Sequence, residues 1–166
     1  YVGGLIGQMI GSASVLACAF IGSATANYPD SDLSADYEQY GNFAGGICGH
    51  ASGSTNISFC TVNGSVNRSN TNDGDAEGII CSATGDGASS GGADVANCYG
   101  SGTVDGSPID ANEDLADNSG TIGALYYKGE MDPDQIAETL NNAIPNDQKD
   151  KFYFDVINGE VVLIIG

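Results

Sequence analysis

The chain has 166 residues and carries 22 acidic against 4 basic side chains, a formal net charge of −18. This charge argues strongly against nucleic acid or an anionic membrane surface as a partner. Hydrophobic residues make up 41% of the chain, too many for a disordered acidic tail, and the length suits one domain with a real core.

The N-terminal stretch, residues 1–28, contains no charged side chain. Such a stretch is typical of a signal peptide, which could end at Ala24–Ala26, or of a membrane helix. However, the same residue pattern returns twice further along the chain, where a targeting signal would have no role. We therefore interpret the stretch as the first copy of an internal repeat.

The first two copies of the repeat join a glycine-rich motif to a cysteine. Gly3–Gly7 precedes Cys18 by eleven residues, and Gly45–Gly49 precedes Cys60 by the same eleven, so the two copies are offset by 42 residues. A glycine follows each cysteine after four residues. Two registered copies with identical internal spacing indicate a structural repeat rather than chance similarity.

A third copy begins at Glu77–Cys81 and reaches Cys98 after seventeen residues, which assigns six extra residues to a loop. Part of a fourth copy is visible at Gly120–Gly123. We place the copies near residues 1–26, 43–67, 76–106 and, in part, 119–127.

Each copy consists of short runs of β-branched and small residues bounded by turn residues, which predicts strands. Alternation puts Leu16, Cys18 and Phe20 on one face, which we expect to be buried, and it aligns Cys18, Cys60 and Cys98 in one column. One copy cannot bury its apolar face alone, so the copies must stack. We predict an all-β fold, a β-solenoid- or β-helix-like stack of about three to four repeats over residues 1–127. The 42-residue offset leaves room for more than one turn of coil in each copy.

The residues Gly4–Gly7, Gly46–Gly49 and the Cys-x-x-x-Gly tails resemble GLUG repeats. These repeats occur in large bacterial surface and secreted proteins, including regions of some immunoglobulin-A-cleaving metallopeptidases. The resemblance covers about residues 1–125, and in the third copy Cys81 stands where the motif closes with glycine. It implies extracellular display, in adhesion or as a spacer, and no catalytic residues. With one His in the chain, the His-Glu-x-x-His zinc site of such peptidases cannot form.

The C-terminal segment, residues 128–166, does not continue the repeat and has a different residue pattern. Asp132 followed by Pro133 predicts the start of a helix that ends before Pro145. Asn158–Gly159 lies between two apolar runs, Lys151–Ile157 and Glu160–Ile165, and predicts a β-hairpin. We expect this helix and hairpin to cover an open end of the stack, where core and strand edges are otherwise exposed.

Two groups of side chains are candidate sites in otherwise polar loops. An oxygen-rich run resembles part of a calcium loop, and calcium is the one cofactor we consider. Three tyrosines on a long insertion could stack on sugar rings. The calcium candidates are Asn72, Asp73, Asp75 and Glu77, and the ligand-binding candidates are Tyr28, Tyr37 and Tyr40.

Five cysteines cannot all pair internally. We expect the cysteine column to consist of buried thiols, because side chains in register on parallel strands have poor disulfide geometry. A disulfide between Cys48 and Cys81 is the expected exception. The pair Cys48 and His50 could share a strand face, but we expect no catalytic thiol there.

The predicted function is therefore a non-enzymatic module at the cell surface or outside the cell, in adhesion or as a rigid spacer. Its expected partner is a host or community glycan or a matrix protein. One alternative is a filament subunit that associates with itself by end-to-end stacking. Another is a β-helical polysaccharide-degrading enzyme that uses surface carboxylates.

Overall fold

The computed structural model describes residues 2–26, 44–68, 81–83, 94–111, 115–118 and 121–166. Within these ranges the regular structure is almost entirely β-strand, with one α-helix, so the predicted all-β class is confirmed. No helix in the described ranges is long and apolar enough to cross a bilayer.

Four small sheets contain the repeat copies, and we number them in the order in which the chain enters them. Sheet 1 pairs β1 (Val2–Gly3) with β5 (Ala44–Gly45). Sheet 2 contains β2 (Ile6–Gly11), β6 (Cys48–Gly53), β9 (Cys81–Ala83) and β13 (Ala116–Asn118). Sheet 3 contains β3 (Ser14–Leu16), β7 (Asn56–Ser58) and β10 (Asp94–Ala96). Sheet 4 contains β4 (Ala19–Ala26), β8 (Thr61–Arg68), β11 (Cys98–Val104), β12 (Ser107–Pro108) and β14 (Leu125–Tyr127).

Equivalent strands of the first and second copies pair directly, parallel and in register. The pairs Ile6–Cys48, Val15–Ile57 and Ala19–Thr61 are all offset by 42 residues. Each of the first three copies thus contributes one strand to each of sheets 2, 3 and 4. That one copy holds more than one turn of coil stays a prediction, because residues 27–43, between the first two copies, lie outside the described residues.

The third copy is shifted by one residue from its expected alignment. Cys81 pairs with Cys48, at an offset of 33 residues, whereas Asp94 pairs with Asn56, at an offset of 38. Cys81 therefore takes the position of Cys48 and not that of the closing glycine, Gly49. The insertion in this copy is five residues, the difference between the two offsets.

The fourth copy also contributes strands in parallel register. Ala116 pairs with Cys81 in sheet 2, Ile122 bridges Val95 of sheet 3, and Leu125 pairs with Cys98 in sheet 4. The segment around Ile122 is thus in register with sheet 3 rather than with the glycine motif of earlier copies.

One left-handed residue turns the chain from sheet 3 to sheet 4 in each of the first three copies. Ala17, Phe59 and Asn97 lie in one column and have positive φ angles of 53–55°. This left-handed residue interrupts the alternation of the strands, so Val15 points inward and Leu16 is exposed. The expected burial of Leu16 on the same face as Cys18 was therefore wrong.

A glycine column in sheet 4 permits the close approach of neighbouring copies. Gly22 pairs with Gly64, and Gly64 pairs with Gly102. A Cβ atom on Gly64 would overlap the Gly22 carbonyl oxygen, and one on Gly102 would overlap the Gly64 carbonyl oxygen. Steric exclusion thus requires glycine at positions 64 and 102, in the second and third copies.

The C-terminal segment forms α1 (Pro133–Ala143) and an antiparallel hairpin of β15 (Phe152–Ile157) and β16 (Glu160–Ile165). Asp132 caps the helix, and Asn158 and Gly159 both have positive φ, as a two-residue hairpin turn requires. Asn141 joins the helix to the hairpin through two 2.8 Å hydrogen bonds with the Phe154 backbone. The predicted helix and hairpin are both confirmed.

This helix–hairpin unit packs against the side of the repeat copies, and not only against an end as expected. Its apolar face includes Ile136, Leu140 and Phe152, and these residues form a second core that is separate from the core inside the sheets. The repeat side of this second core comes from all four copies and comprises Ala17, Phe59, Tyr99 and Tyr126. The rings of Phe59 and Phe152 lie 5.7 Å apart between centroids.

We expect Gly64→Ala to destabilise the fold, because the added methyl group must displace the backbone of the neighbouring copy. Overpacking of this kind costs about 1–3 kcal/mol, and the backbone contact places this site at the upper end. Gly106→Ala is the control for backbone strain without overlap, since the positive φ of Gly106 strains an alanine but the space around the new methyl group is open. Urea unfolding should show the larger loss of stability for Gly64→Ala. Equal losses would contradict the close approach of the copies.

Candidate functional site

The sites predicted in the loops lie outside the described residues. The calcium candidates, Asn72, Asp73, Asp75 and Glu77, fall in the range 69–80, and Tyr28, Tyr37 and Tyr40 fall in the range 27–43. Within the described part of the chain, no group of three or more His, Cys, Asp or Glu side chains could hold a metal ion. Both predicted sites stay predictions.

The cysteine column lies directly after the left-handed corner, where sheet 4 begins. The thiols of Cys18, Cys60 and Cys98 donate to the carbonyl oxygens of Leu16, Ser58 and Ala96, at 3.5, 3.3 and 3.2 Å. In each case the acceptor lies two residues earlier, at the end of the sheet 3 strand. The thiol therefore makes a hydrogen bond across the corner, on its inner side. This contact explains why cysteine recurs at this position.

The environment of Cys18 and Cys60 opposes ionisation of their thiols. A hydrogen bond with Cys98 and burial both raise the pKa of Cys60 far above its ordinary value. Burial, followed by the neighbouring Cys60, raises the pKa of Cys18 as well. Since the thiolate is the reactive form, a raised pKa lowers the reactivity of the Cys18 and Cys60 thiols.

The second pair of cysteines is aligned by the strand register. Cys48 and Cys81 are register partners in sheet 2. The Cys48 thiol donates to the His50 carbonyl oxygen at 3.1 Å. The Cys81 side chain lies outside the described part of the chain, so the expected disulfide stays a prediction. Cys48 and His50 are both buried, which closes this pair to a substrate.

An ion-paired cluster fixes the hairpin to sheet 4. Glu160 accepts a hydrogen bond from the Tyr99 hydroxyl at 3.1 Å and forms a salt bridge with Lys128. Burial raises the pKa of Glu160, but hydrogen bonds from Lys128 and Tyr99 and the Lys128 charge outweigh it and hold the pKa below its ordinary value. Burial and the Glu160 charge raise the pKa of Tyr99. The sequence contained no signal for this cluster, because its members are far apart along the chain.

The outer face of sheet 4 is divided between a covered half and an open half. The helix–hairpin unit covers the half that begins β8 and β11, where Thr61, Tyr99 and Ser101 are buried, whereas Ile21 of β4 is exposed. Beyond it, Ala24, Val66 and Val104 point into the core, so the residues that alternate with them point outward. Apart from Ile21, which is in register with Asn63, the outward side chains are neutral hydrogen-bonding groups. We call them the polar face: Ser23, Thr25, Asn63, Ser65, Asn67 and Thr103.

The polar face is the candidate binding surface of the described chain. Ser23, Ser65 and Thr103 are register partners, so their hydroxyl groups repeat at the strand spacing of about 4.8 Å. Such an array offers regularly spaced donors and acceptors without charge. This chemistry suits an extended neutral ligand with many hydroxyl groups, such as a glycan.

Comparisons with protein-family models, with curated proteins and with solved structures find no match for this chain. The resemblance to GLUG repeats therefore stays a prediction based on the motifs.

We expect Cys60 and Cys98 to resist alkylation by iodoacetamide at pH 8 in the native protein, because both are buried. Cys18, which is partly exposed, should react more slowly than in the unfolded chain because its pKa is raised. Peptide mass mapping in buffer and in urea measures each site separately. Alkylation of Cys60 at the same rate in both conditions would contradict a closed thiol column.

The Glu160 cluster predicts a pH-dependent attachment of the hairpin. A carboxylate whose pKa is lowered by folding stabilises the fold above its unfolded pKa of about 4.3, and this contribution is lost as the pH falls through the lower folded pKa. Glu160→Gln should therefore be less stable than the unmodified chain by roughly 1 kcal/mol at pH 7, and the difference should shrink below about pH 4.

Comparing the stability of Glu160→Gln with that of the unmodified chain at each pH removes the contribution of the other acidic residues. Asp155→Asn is a control on the same hairpin, since the Asp155 carboxylate accepts a bond only from its neighbour Val156 in the described contacts. A Glu160→Gln difference that stays constant from pH 7 to pH 3 would contradict a stabilising charge at this position.

Proposed function

We propose that this chain is a non-enzymatic β-solenoid module of an extracellular or cell-surface protein, where it acts in adhesion or as a rigid spacer. The observation that carries the proposal is the parallel, in-register pairing of equivalent strands across the repeat copies. Stacked copies of this kind produce length and a continuous side face without a deep pocket.

The solenoid assignment is supported by the way the sheets share the repeat. The chain enters sheets 2, 3 and 4 in the same order in each of the first three copies, with the main apolar core between the sheets. The corners recur at equivalent positions, as at Ala17, Phe59 and Asn97. A chain that turns the same corners once per copy winds as a coil.

An extracellular location is compatible with the cysteine chemistry. Burial and the raised pKa of Cys60 protect its thiol from oxidants, so an oxidising environment does not demand that this column form disulfides. The resemblance to GLUG repeats favours the same location.

The adhesive role is supported by the polar face, whose neutral side chains suit the hydroxyl groups of a host or community glycan. Matrix proteins are the second class of partner. The acidic remainder of the surface keeps the module soluble and repels anionic polymers. The spacer role is supported by the stacking itself, since each copy is fixed to its neighbours by backbone hydrogen bonds in several sheets.

Binding to a glycan and matrix-protein array tests the adhesive role. We expect one ligand class to bind, and we expect the double substitution Ser23→Lys and Thr25→Lys to weaken binding by about tenfold or more, the equivalent of about 1.4 kcal/mol. Thr139→Lys with Asn142→Lys, on the exposed side of α1, adds the same charge elsewhere and should leave binding unchanged.

The array is repeated with calcium and with a chelator. Loss of binding on chelation would support the calcium candidates, Asn72, Asp73, Asp75 and Glu77. An array without any bound ligand would contradict adhesion for this segment and leave the spacer role.

A further inference from the structure

The thiols of the cysteine column repeat from one copy to the next in the same orientation. Cys18, Cys60 and Cys98 come directly before register partners in sheet 4, so they are aligned with one another as well. Each thiol donates to the carbonyl oxygen two residues earlier, which holds the three sulfur atoms at equivalent positions. Successive sulfur atoms are therefore separated by one strand spacing, about 4.8 Å, along the stacking direction.

Neighbouring thiols of the column also contact each other. Hydrogen bonds between side chains link Cys60 to Cys18 on one side and to Cys98 on the other. The backbone N–H group of Cys60 donates to the Cys98 sulfur at 3.4 Å. All three residues are free cysteines. Cys60 is thus the middle member of a continuous row of sulfur atoms.

The spacing of this row suits an ion that binds two thiolates in a straight line. Soft thiolate ligands select Cu(I), and a Cu(I) ion with two thiolates takes a linear geometry. A metal–thiolate bond is about 2.3 Å long in zinc sites, so two collinear bonds of this kind span about 4.6 Å. This length is close to the distance between neighbouring sulfur atoms of the column. Both bonds can therefore form with the strands in their present register.

Other biological metal ions need more ligands than the column offers. Zinc takes four ligands in a tetrahedron, and calcium takes at least six oxygen atoms. In the part of the chain that the structure describes, no group of three or more His, Cys, Asp or Glu side chains could hold an ion. Cys60 and Cys98 are completely buried in the apolar core, which keeps water from completing a larger coordination sphere. The surroundings thus favour an ion that two sulfur atoms satisfy.

The charge of such a site is small but buried. Two thiolates and one Cu(I) ion together carry a single negative charge, which an apolar core disfavours. The Cys60 N–H group, which already points at the Cys98 sulfur, stabilises this charge by a hydrogen bond. Because the column is buried, we expect the ion to bind while the chain folds, as it does in other metal sites that are coupled to folding.

We propose that the cysteine column binds a soft monovalent metal ion, Cu(I), between two adjacent repeat copies. Two neighbouring thiolates ligate the ion, and Cys60 belongs to both adjacent pairs, with Cys18 and with Cys98. Each of the two thiols releases its proton to the solvent as its bond to the ion forms, and no oxidation state changes. This site is independent of the adhesive or spacer role.

Refolding of the 166-residue chain with Cu(I) in the absence of oxygen, followed by competition with a Cu(I) chelator, tests the proposal. All proteins in the test carry Cys48→Ser, because Cys48 and Cys81 are a second pair of register partners. We expect the refolded chain to retain one Cu(I) ion. X-ray absorption should show two sulfur neighbours and no oxygen or nitrogen neighbour.

Cys60→Ser separates the column from isolated thiols. This change leaves Cys18 and Cys98 two strand spacings apart, about 9.6 Å, which one ion cannot bridge. We expect Cu(I) binding to weaken by about a hundredfold or more, since even residues behind the ligands of a metal site can cost that much. Cys18→Ser is the matched control, because it removes a thiol from the same column but leaves Cys60 beside Cys98. It should keep the ion.

The double substitution Cys18→Ser and Cys98→Ser leaves Cys60 alone in the column and should also lose the ion. It provides the same test if Cys60→Ser does not fold, and circular dichroism checks the fold of every variant. Equal Cu(I) binding by Cys60→Ser and Cys18→Ser would overturn the proposal. An oxygen or nitrogen neighbour of the ion, or a refolded chain that retains no Cu(I), would overturn it as well.

Discussion

The fold depends on the spacing between hydrogen-bonded strands, about 4.8 Å, which every repeat copy must satisfy in several sheets at once. A side chain that projects from one layer into the next has no room. Gly64 is the clearest case, because the carbonyl oxygen of Gly22 occupies the place where its Cβ would be. The corner between sheets 3 and 4 obeys the same limit, and one left-handed residue turns the chain within a single layer.

The presence of cysteine after each corner follows from the same limit on the space between copies. The residue after each corner must fill a small interior space, and its side chain lies beside the last carbonyl oxygen of the sheet 3 strand, to which it can donate. A thiol does both, since it is compact, apolar and a weak donor. In the fourth copy Leu125 takes the register position of Cys98, and Ala124, the residue before it, is not among the positive-φ residues. The cysteine column therefore ends at the copy in which the left-handed corner also ends.

The repeat and the C-terminal segment could be predicted from the sequence, because both are encoded by local spacing. The 42-residue offset between Cys18 and Cys60 appears unchanged in the strand register, and Asn158–Gly159 forms the expected turn. The burial of Leu16 was predicted wrongly, because alternation was extended across Ala17, and neither Ala17 nor Phe59 belongs to a residue type that favours positive φ. The contacts of Glu160 with Tyr99 and Lys128 were missed because they depend on tertiary packing alone.

Stacking also explains the unusual distribution of charge. A charged residue in a strand of one copy would face its counterpart in the next, and two like charges at about 4.8 Å repel by roughly 1 kcal/mol even in water. The strands β1 to β8 accordingly contain no acidic residue, although the whole chain has 22. The register columns instead combine neutral groups, such as Gln8 with His50 and Ser23 with Ser65. The uncharged N-terminal stretch is thus a consequence of stacking.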